Sequence, residues 1–269
     1  TIAYASQSHA EGHNTKAYGI GSHAEGIDVV AVGKASHAEG NSTKSIKTVL
    51  DAETLEQLSK IDELENDQVT DIKKDIETAW TNEKNAEGNI ERKTFSAAIG
   101  IFSHTEGLDN LVNGACSHAE GQRNLVTGGD AHAEGKFNTV SGNRAHAEGY
   151  ETTSSGHAAH SEGCKTKATG YESHAEGYGS EALGYGSHAE GGYFISESNN
   201  GIGGKASGKA SHAEGIGTIA SEAASHAEGY YAKATGNYSH AEGIGTTASG
   251  ISLRNSHEKD FHISTLPDQ

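Results

Sequence analysis

The chain has 269 residues, of which 33% are hydrophobic and 36 are glycine, and its formal net charge is −17. So few hydrophobic residues argue against a conventional globular core. The acidic balance, with no basic stripe to neutralise phosphates, argues against binding to nucleic acid. No run of about 18 apolar residues is present, so we expect no insertion into a membrane.

A short motif in residues 1–45 sets the period of the sequence. Residues 8–12 read Ser-His-Ala-Glu-Gly, residues 15–19 read Thr-Lys-Ala-Tyr-Gly, and the next copy of the first motif begins 14 residues later. Both halves alternate small and larger side chains, which is typical of β-strands. A short fixed period indicates one unit stacked on copies of itself. We therefore predict an all-β fold, a parallel β-roll solenoid of 14-residue coils with two strands and two tight turns per coil and an interior of small side chains.

The period is interrupted by an insertion at residues 46–95. His37 and His104 are 67 residues apart, which is one 14-residue period plus 53 further residues. Within the insertion, residues 51–80 carry apolar side chains at helical spacing. We predict a helical hairpin there, because the chain must return to the roll where it left it. A short trimeric coiled segment with an extended return is the alternative.

The coils resume over residues 96–250, with a loop insertion at 192–203. This loop contains Tyr193 and Phe194. We expect these aromatic side chains to cap the loop; stacking on a sugar or on a partner is the alternative. After Gly250 the period lapses, and 251–269 is predicted to be an exit segment toward a neighbouring domain.

Tyrosine and cysteine recur at turn positions. We predict tyrosine ladders packed on the edge of the roll, and a carbohydrate-binding edge is the alternative. The tyrosines concerned include Tyr150, Tyr171, Tyr178, Tyr185 and Tyr230. Cys116 and Cys164 lie at different turn positions and more than three coils apart. Both thiols are therefore expected to be free.

The outward positions of the two strands behave differently. On the second strand they vary, with Lys16, Lys167 and Glu181 at equivalent positions, whereas on the first strand they are His and Glu in all thirteen copies. A position held so constant is expected to pack against something, and the simplest partner is the same face of other copies around a symmetry axis. The predicted axial ladder comprises His9, Glu11, His23, Glu25, His37, Glu39, His104, Glu106, His118, Glu120, His132, Glu134, His146, Glu148, His160, Glu162, His174, Glu176, His188, Glu190, His212, Glu214, His226, Glu228, His240 and Glu242.

A histidine and a carboxylate two residues apart have three chemical interpretations. Catalysis is not expected, because an active site is a single place and no nucleophile or phosphate loop accompanies thirteen equivalent pairs. A metal site is the second, since three histidines at one level of a trimer could converge. The favoured third is a structural ladder without metal or other cofactor, in which a histidinium row neutralises stacked carboxylates. This ladder predicts raised histidine pKa values and stability that is lost as pH rises through them.

The repeat resembles the YadA-like head repeat of trimeric autotransporter adhesins. That family pairs a Ser-Val-Ala-Ile-Gly strand with a small-residue Ala-x-Gly half, and residues 96–100 read Ser-Ala-Ala-Ile-Gly. The resemblance covers residues 3–45, 96–191 and 204–250, and it implies a left-handed roll assembled as a homotrimer. This chain has His and Glu where the family places Val and Ile toward the trimer centre, so collagen or matrix binding is not carried over.

Similar Ser-His-Ala-Glu-Gly repeats also occur in appendage and fibre proteins of phages that infect Gram-positive bacteria. The resemblance therefore implies an extracellular, homotrimeric fibrous attachment protein on a virion tail or appendage or on a bacterial cell surface. The expected receptor is a cell-surface glycan or protein. The first interpretation is a phage tail or appendage fibre segment that contacts a Gram-positive cell; the alternatives are the head of a bacterial surface adhesin and a purely structural spacer rod.

Overall fold

The computed structural model describes residues 1–41, 83–84, 90–91, 96–195 and 200–250. Within them every regular element is a β-strand, so this part of the chain contains no helix that could cross a membrane. The predicted helical hairpin at 51–80 and the predicted exit segment at 251–269 lie outside the described residues.

The chain divides into two compact units, of which the first is Thr1–Asn138. Strands β2, β4, β6, β10, β12 and β14 pair in this order in one parallel sheet, and β1, β3, β5, β9, β11 and β13 pair in a second, while β7 and β8 form a separate antiparallel pair. The strands are β1 (Ile2–Ala3), β2 (His9–His13), β3 (Lys16–Ala17), β4 (His23–Ile27), β5 (Val29–Ala31), β6 (His37–Asn41), β7 (Glu83–Lys84), β8 (Ile90–Glu91), β9 (Ser96–Ala98), β10 (His104–Leu108), β11 (Leu111–Val112), β12 (His118–Gln122), β13 (Leu125–Val126) and β14 (His132–Lys136).

The second unit is Thr139–Gln269 and has the same plan. Its strands are β15 (Thr139–Val140), β16 (His146–Tyr150), β17 (Thr153–Ser154), β18 (His160–Ser161), β19 (Lys167–Ala168), β20 (His174–Ala175), β21 (Glu181–Ala182), β22 (His188–Glu190), β23 (Tyr193–Ile195), β24 (Asn200–Ile202), β25 (Lys205–Ala206), β26 (His212–Ile216), β27 (Ile219–Ala220), β28 (His226–Tyr230), β29 (Lys233–Ala234), β30 (His240–Ile244) and β31 (Thr247–Ala248). The even-numbered strands from β16 to β22, then β26, β28 and β30, form one parallel sheet; the odd-numbered strands from β15 to β21, then β25, β27, β29 and β31, form the other. Strands β23 and β24 pair antiparallel, so the predicted loop insertion contains a hairpin.

In both units neighbouring coils pair in an unchanged register. His104 lies opposite His118. The register also continues across the interruptions, because His37 lies opposite His104 and Glu181 lies opposite Lys205. The parallel β-solenoid of 14-residue coils predicted from the period is therefore confirmed. Its left-handedness and the trimer stay predictions.

The interior of the roll is filled mainly by alanine. Alternation along each strand turns every second side chain inward, and Ala17, Ala24 and Ala38 are completely buried. The predicted restriction to small side chains was too strict, since Val112 and Val126 are also completely buried. The two sheets therefore pack on a thin layer in which alanine predominates.

Three asparagines form a buried ladder inside the first unit. Asn110, Asn124 and Asn138 are all inaccessible to solvent. The side-chain amide of Asn124 donates to the carbonyl oxygens of Glu120 at 2.6 Å and Gly135 at 3.0 Å, and its side-chain oxygen accepts the backbone N–H of Asn138 at 2.9 Å. The ladder thus satisfies polar groups that a closed interior would leave without hydrogen bonds.

Many turns contain a left-handed residue that is not glycine. Asp28 and Lys165 have φ values of 55° and 58°. Such a conformation costs about 1–2 kcal/mol for a residue other than glycine. Each of the two donates its backbone N–H to the preceding coil, Asp28 to the carbonyl of His13 at 3.0 Å and Lys165 to that of Tyr150 at 2.8 Å. Hydrogen bonds between coils therefore offset the strain of the turns.

Candidate functional site

Alternation along the longer strand places one histidine and one glutamate on the outside of each coil. In β12, Ala119 is completely buried, whereas His118 and Glu120 are half-buried. All thirteen pairs of the predicted ladder occupy this position, six in the first unit and seven in the second. We call these twenty-six residues, named in full above, the His/Glu face.

The imidazole rings of the His/Glu face stack from coil to coil. His104 and His118 have ring centroids 4.6 Å apart and ring planes inclined by 3°. In the second unit the rings of His212 and His226 are 4.7 Å apart and inclined by 1°. The strand spacing of about 4.8 Å imposes these distances. Each unit thus carries a continuous pile of rings, apart from His9, whose ring is inclined by 87° to its neighbour.

The carboxylates lie beside this pile and contact it in two ways. Nε2 of His37 is 3.4 Å from Oε2 of Glu39 in the same strand. Nε2 of His212 is instead 3.3 Å from Oε1 of Glu190 in the preceding coil. An imidazole therefore has a carboxylate within reach on its own coil or on an adjacent one.

Burial is the main influence on the pKa values of five histidines of the face. It lowers each of these pKa values, neighbouring histidines lower them further, and the surrounding glutamates raise them by less. For these five the predicted increase is wrong, because burial and like charge within the pile outweigh the carboxylates. The five histidines are His104, His118, His160, His188 and His226.

Several ring nitrogens of the face are buried without a hydrogen bond. The Nε2 atoms of His104, His118 and His160 make none within the part of the chain that the structure describes. A buried polar atom left in this state costs about 1–3 kcal/mol, and native proteins rarely leave one so. A second chain or a bound cation would relieve this cost.

Neighbouring coils also form clusters of metal-ligand type. Each cluster consists of two histidines and the glutamate of the first coil, and its three ligand atoms lie within 4.8 Å of one another. Imidazole nitrogen and carboxylate oxygen are ligands that zinc and related ions accept. Examples are His37–Glu39–His104 and His104–Glu106–His118 in the first unit, and His146–Glu148–His160 and His212–Glu214–His226 in the second.

The outward-facing residues of the shorter strands form a row of variable residues with some ion pairs. Nζ of Lys205 is 2.9 Å and Nζ of Lys167 is 3.3 Å from the Glu181 carboxylate. The hydrogen bond from Lys205 is the main cause of a lowered pKa for Glu181. Elsewhere in the row the residue differs between coils, as at Leu111 and Thr139. Exposed ion pairs of this kind stabilise by about 1 kcal/mol at most, and the row has no repeated chemistry.

An exposed aromatic stack lies on the turns of the second unit. The ring of His157 is 5.5 Å from that of Tyr171, which is 6.4 Å from that of Tyr185. Nζ of Lys209 lies 5.4 Å from the centroid of the Tyr185 ring. The predicted tyrosine ladder is therefore present at Tyr171 and Tyr185. Neighbouring side chains lie against the ring faces, and the Tyr185 hydroxyl is hydrogen-bonded to Glu172. The stack therefore offers mainly its ring edges to a ligand.

The two cysteines are separate from these surfaces and from each other. Cys116 is exposed and Cys164 is half-buried, and both are free thiols. Cys164 bridges in parallel with Tyr150 and Tyr178 on the adjacent coils.

Comparison with known proteins gives no family for this chain. No protein-family model matches the sequence, and no curated protein matches it. A functional assignment therefore depends on the repeat and on the His/Glu face.

Proposed function

We propose that this chain is a segment of a homotrimeric fibre that attaches to a cell surface, in the first place a phage tail or appendage fibre that contacts a Gram-positive cell. The observation that carries the proposal is the constancy of the His/Glu face over thirteen coils, beside an outward row on the other sheet that varies. A constant face with buried ring nitrogens that make no hydrogen bond within the described chain suits burial against identical copies.

Threefold symmetry suits the chemistry of this face. Contacts around a threefold axis join different patches of neighbouring copies. The histidine of one copy can therefore meet the glutamate of the next at the same level. The side chains of His212 and Glu190 still expose 34% and 28% of their surface, so part of each remains available to a neighbouring copy. Charge-assisted hydrogen bonds formed there would fix the register of the three chains.

The resemblance of the repeat to phage fibre and appendage repeats and to YadA-like heads supports an extracellular, trimeric setting. The expected receptor is a cell-surface glycan or protein. A bacterial surface adhesin is the second candidate. It is favoured by residues 96–100, whose sequence is similar to that of the YadA-like strand. A spacer rod without a ligand is the third.

Binding of the labelled full chain to cells tests the function. Whole Gram-positive cells of several strains, isolated cell-wall glycans, animal cells and extracellular matrix are compared, with excess unlabelled chain as the competitor. We expect saturable, competed binding to a subset of bacterial strains. Binding only to animal cells or matrix would favour the adhesin, and binding to none would favour the spacer.

A further inference from the structure

The cluster at His104, Glu106 and His118 shows what adjacent coils bring together within one chain. The two rings are nearly parallel with centroids 4.6 Å apart, and one ligand atom from each of the three side chains lies within 4.8 Å of the others. Both Nε2 atoms are buried and make no hydrogen bond within the described residues. These nitrogens have no competing donor to displace before they take another partner.

We propose that such clusters bind divalent transition-metal ions, zinc above all, with two imidazoles from adjacent coils and the glutamate of the first coil as ligands. Zinc takes nitrogen and oxygen ligands at about 2.0–2.2 Å in a tetrahedron, so its ligand atoms lie about 3.3 Å apart. Half-exposed side chains can close from 4.8 Å to this distance by side-chain rotation, without moving the sheet. Water or a neighbouring chain supplies the fourth ligand.

The charge of the chain and of the cluster favours binding of a cation. The net charge of −17 attracts cations from solution. Glu106 adds a negatively charged ligand beside the two imidazoles. Because a metal ion binds only the neutral imidazole, uptake is expected to be weaker in acid, where protons compete for the same nitrogens.

Sharing of ligands between clusters limits how many ions bind. His104 belongs both to the cluster with His37 and to the cluster with His118, and its one Nε2 atom can serve one ion at a time. Six histidines of the face in the first unit and seven in the second allow three pairs in each, and therefore at most six ions per chain. Scattered surface histidines would show no such ceiling.

Native mass spectrometry of the full chain, stripped of metal with a chelator and then titrated with Zn²⁺, tests the proposal. We expect uptake to saturate at no more than six ions per chain. Titration with Co²⁺ should give the intense visible absorption of a tetrahedral site. The same spectrum reports the number of chains, so a failure to bind metal and a failure to form a trimer are separate results.

A pair of variants locates the sites. His104→Gln removes the histidine shared by the cluster with His37 and the cluster with His118, and should lower the saturating number of ions by one. His157→Gln, which removes a histidine of the aromatic stack outside the face, should leave that number unchanged. Far-UV circular dichroism checks that both variants fold. If one variant does not fold, the Co²⁺ absorption spectrum of the wild-type chain still tests whether a tetrahedral site exists. Absence of the tetrahedral spectrum, uptake without saturation, or equal numbers in the two variants would overturn the proposal.

Discussion

Each imidazole of the His/Glu face is surrounded by other ionisable groups. The ring of His188 lies between those of His174 and His212, with the Glu176 carboxylate 3.8 Å from its Nε2. Charges on adjacent rings, about 4.8 Å apart, repel by about 1 kcal/mol in water and about 3.5 kcal/mol at an effective dielectric constant near 20. Charging one ring therefore opposes charging the next, so the pile cannot become a fully protonated row at little cost.

Acidification is expected to destabilise the folded chain. Unfolded histidines take up protons near pH 6.5, whereas His104, His118 and His160 in the folded chain take them up at lower pH. The stability difference is absent above the unfolded pKa and grows as pH falls through the folded values. Thermal melts followed by circular dichroism should give a lower Tm at about pH 5.5 than at about pH 7.5, a range in which most carboxylates stay ionised. A higher Tm in acid would support the histidinium ladder after all.

The positions of the face could be predicted from the sequence, but its protonation could not. Period-two alternation is a local property that can be read from the amino-acid sequence. The pKa of His118 instead depends on burial and on the neighbouring rings that pairing between coils brings close. The buried ladder of Asn110, Asn124 and Asn138 was missed although its spacing of 14 residues was visible. To predict the asparagine ladder, one would have to know that the side chain at this turn position points into the roll.

At the scale of the coil, close approach of the backbones depends on glycine at the end of the longer strand. Gly121 has a φ of +97°, and a Cβ atom placed there would lie 2.2 Å from the carbonyl oxygen of Gly135 in the next coil. Gly186 also has a positive φ, +59°, but a Cβ atom there would meet no atom within 4 Å. At the equivalent turn position other coils carry Ala158 and Glu172. The two glycines therefore have different roles, one steric and one purely conformational.

Replacing these two glycines by alanine should separate the roles. Gly121→Ala combines about 1–2 kcal/mol of backbone strain with the loss of about 0.5–1.5 kcal/mol for a hydrogen bond between coils that must move apart. Gly186→Ala should cost about 1 kcal/mol or less, since alanine already adopts this conformation at Ala158. Urea and thermal unfolding of both variants measure the difference. Equal losses would contradict the steric role of Gly121.

The insertions show where prediction from the period ends. The period places the loop insertion at 192–203, because the repeat is displaced by ten residues between His188 and His212. It does not predict that β23 and β24 pair there, since a hairpin inside an insertion is independent of the coil register. The helical hairpin expected at 51–80 lies outside the described residues and stays a prediction.

For the whole molecule, the net charge is tied to the His/Glu face. Thirteen of its acidic residues belong to the face, and protonation of the thirteen paired histidines would change the net charge from −17 to −4. Assembly of three copies on this face would bring like charges together as well as unlike ones. The proposed trimer therefore depends on imidazoles and carboxylates alternating across the interface.

New carboxylates on the face should weaken the trimer more than the same number on the other sheet. The test variant carries His104→Asp with His118→Asp, and the matched control carries Leu111→Asp with Leu125→Asp on the outward row of the same two coils. In a trimer the test variant adds six carboxylates to the axis and removes six imidazoles. We expect dissociation at a protein concentration at least about tenfold higher than for the control. For three chains this is about a hundredfold in the dissociation constant, or about 2.8 kcal/mol per trimer. Analytical ultracentrifugation measures the mass, and circular dichroism measures folding. Equal dissociation of the two variants, or a monomeric wild-type chain, would contradict the proposed axis.

The unchanged register between coils has a consequence for how such a chain evolves. Within each unit the histidines of the face lie opposite one another in neighbouring coils. This holds even where a hairpin is inserted between two coils, as for His188 and His212. A duplication or deletion of 14 codons would therefore add or remove one complete coil and leave the pairings of the others intact. Recombination between near-identical stretches of the gene produces such events readily. We expect the number of coils to vary in whole steps among descendants of this sequence, with each intermediate length already foldable.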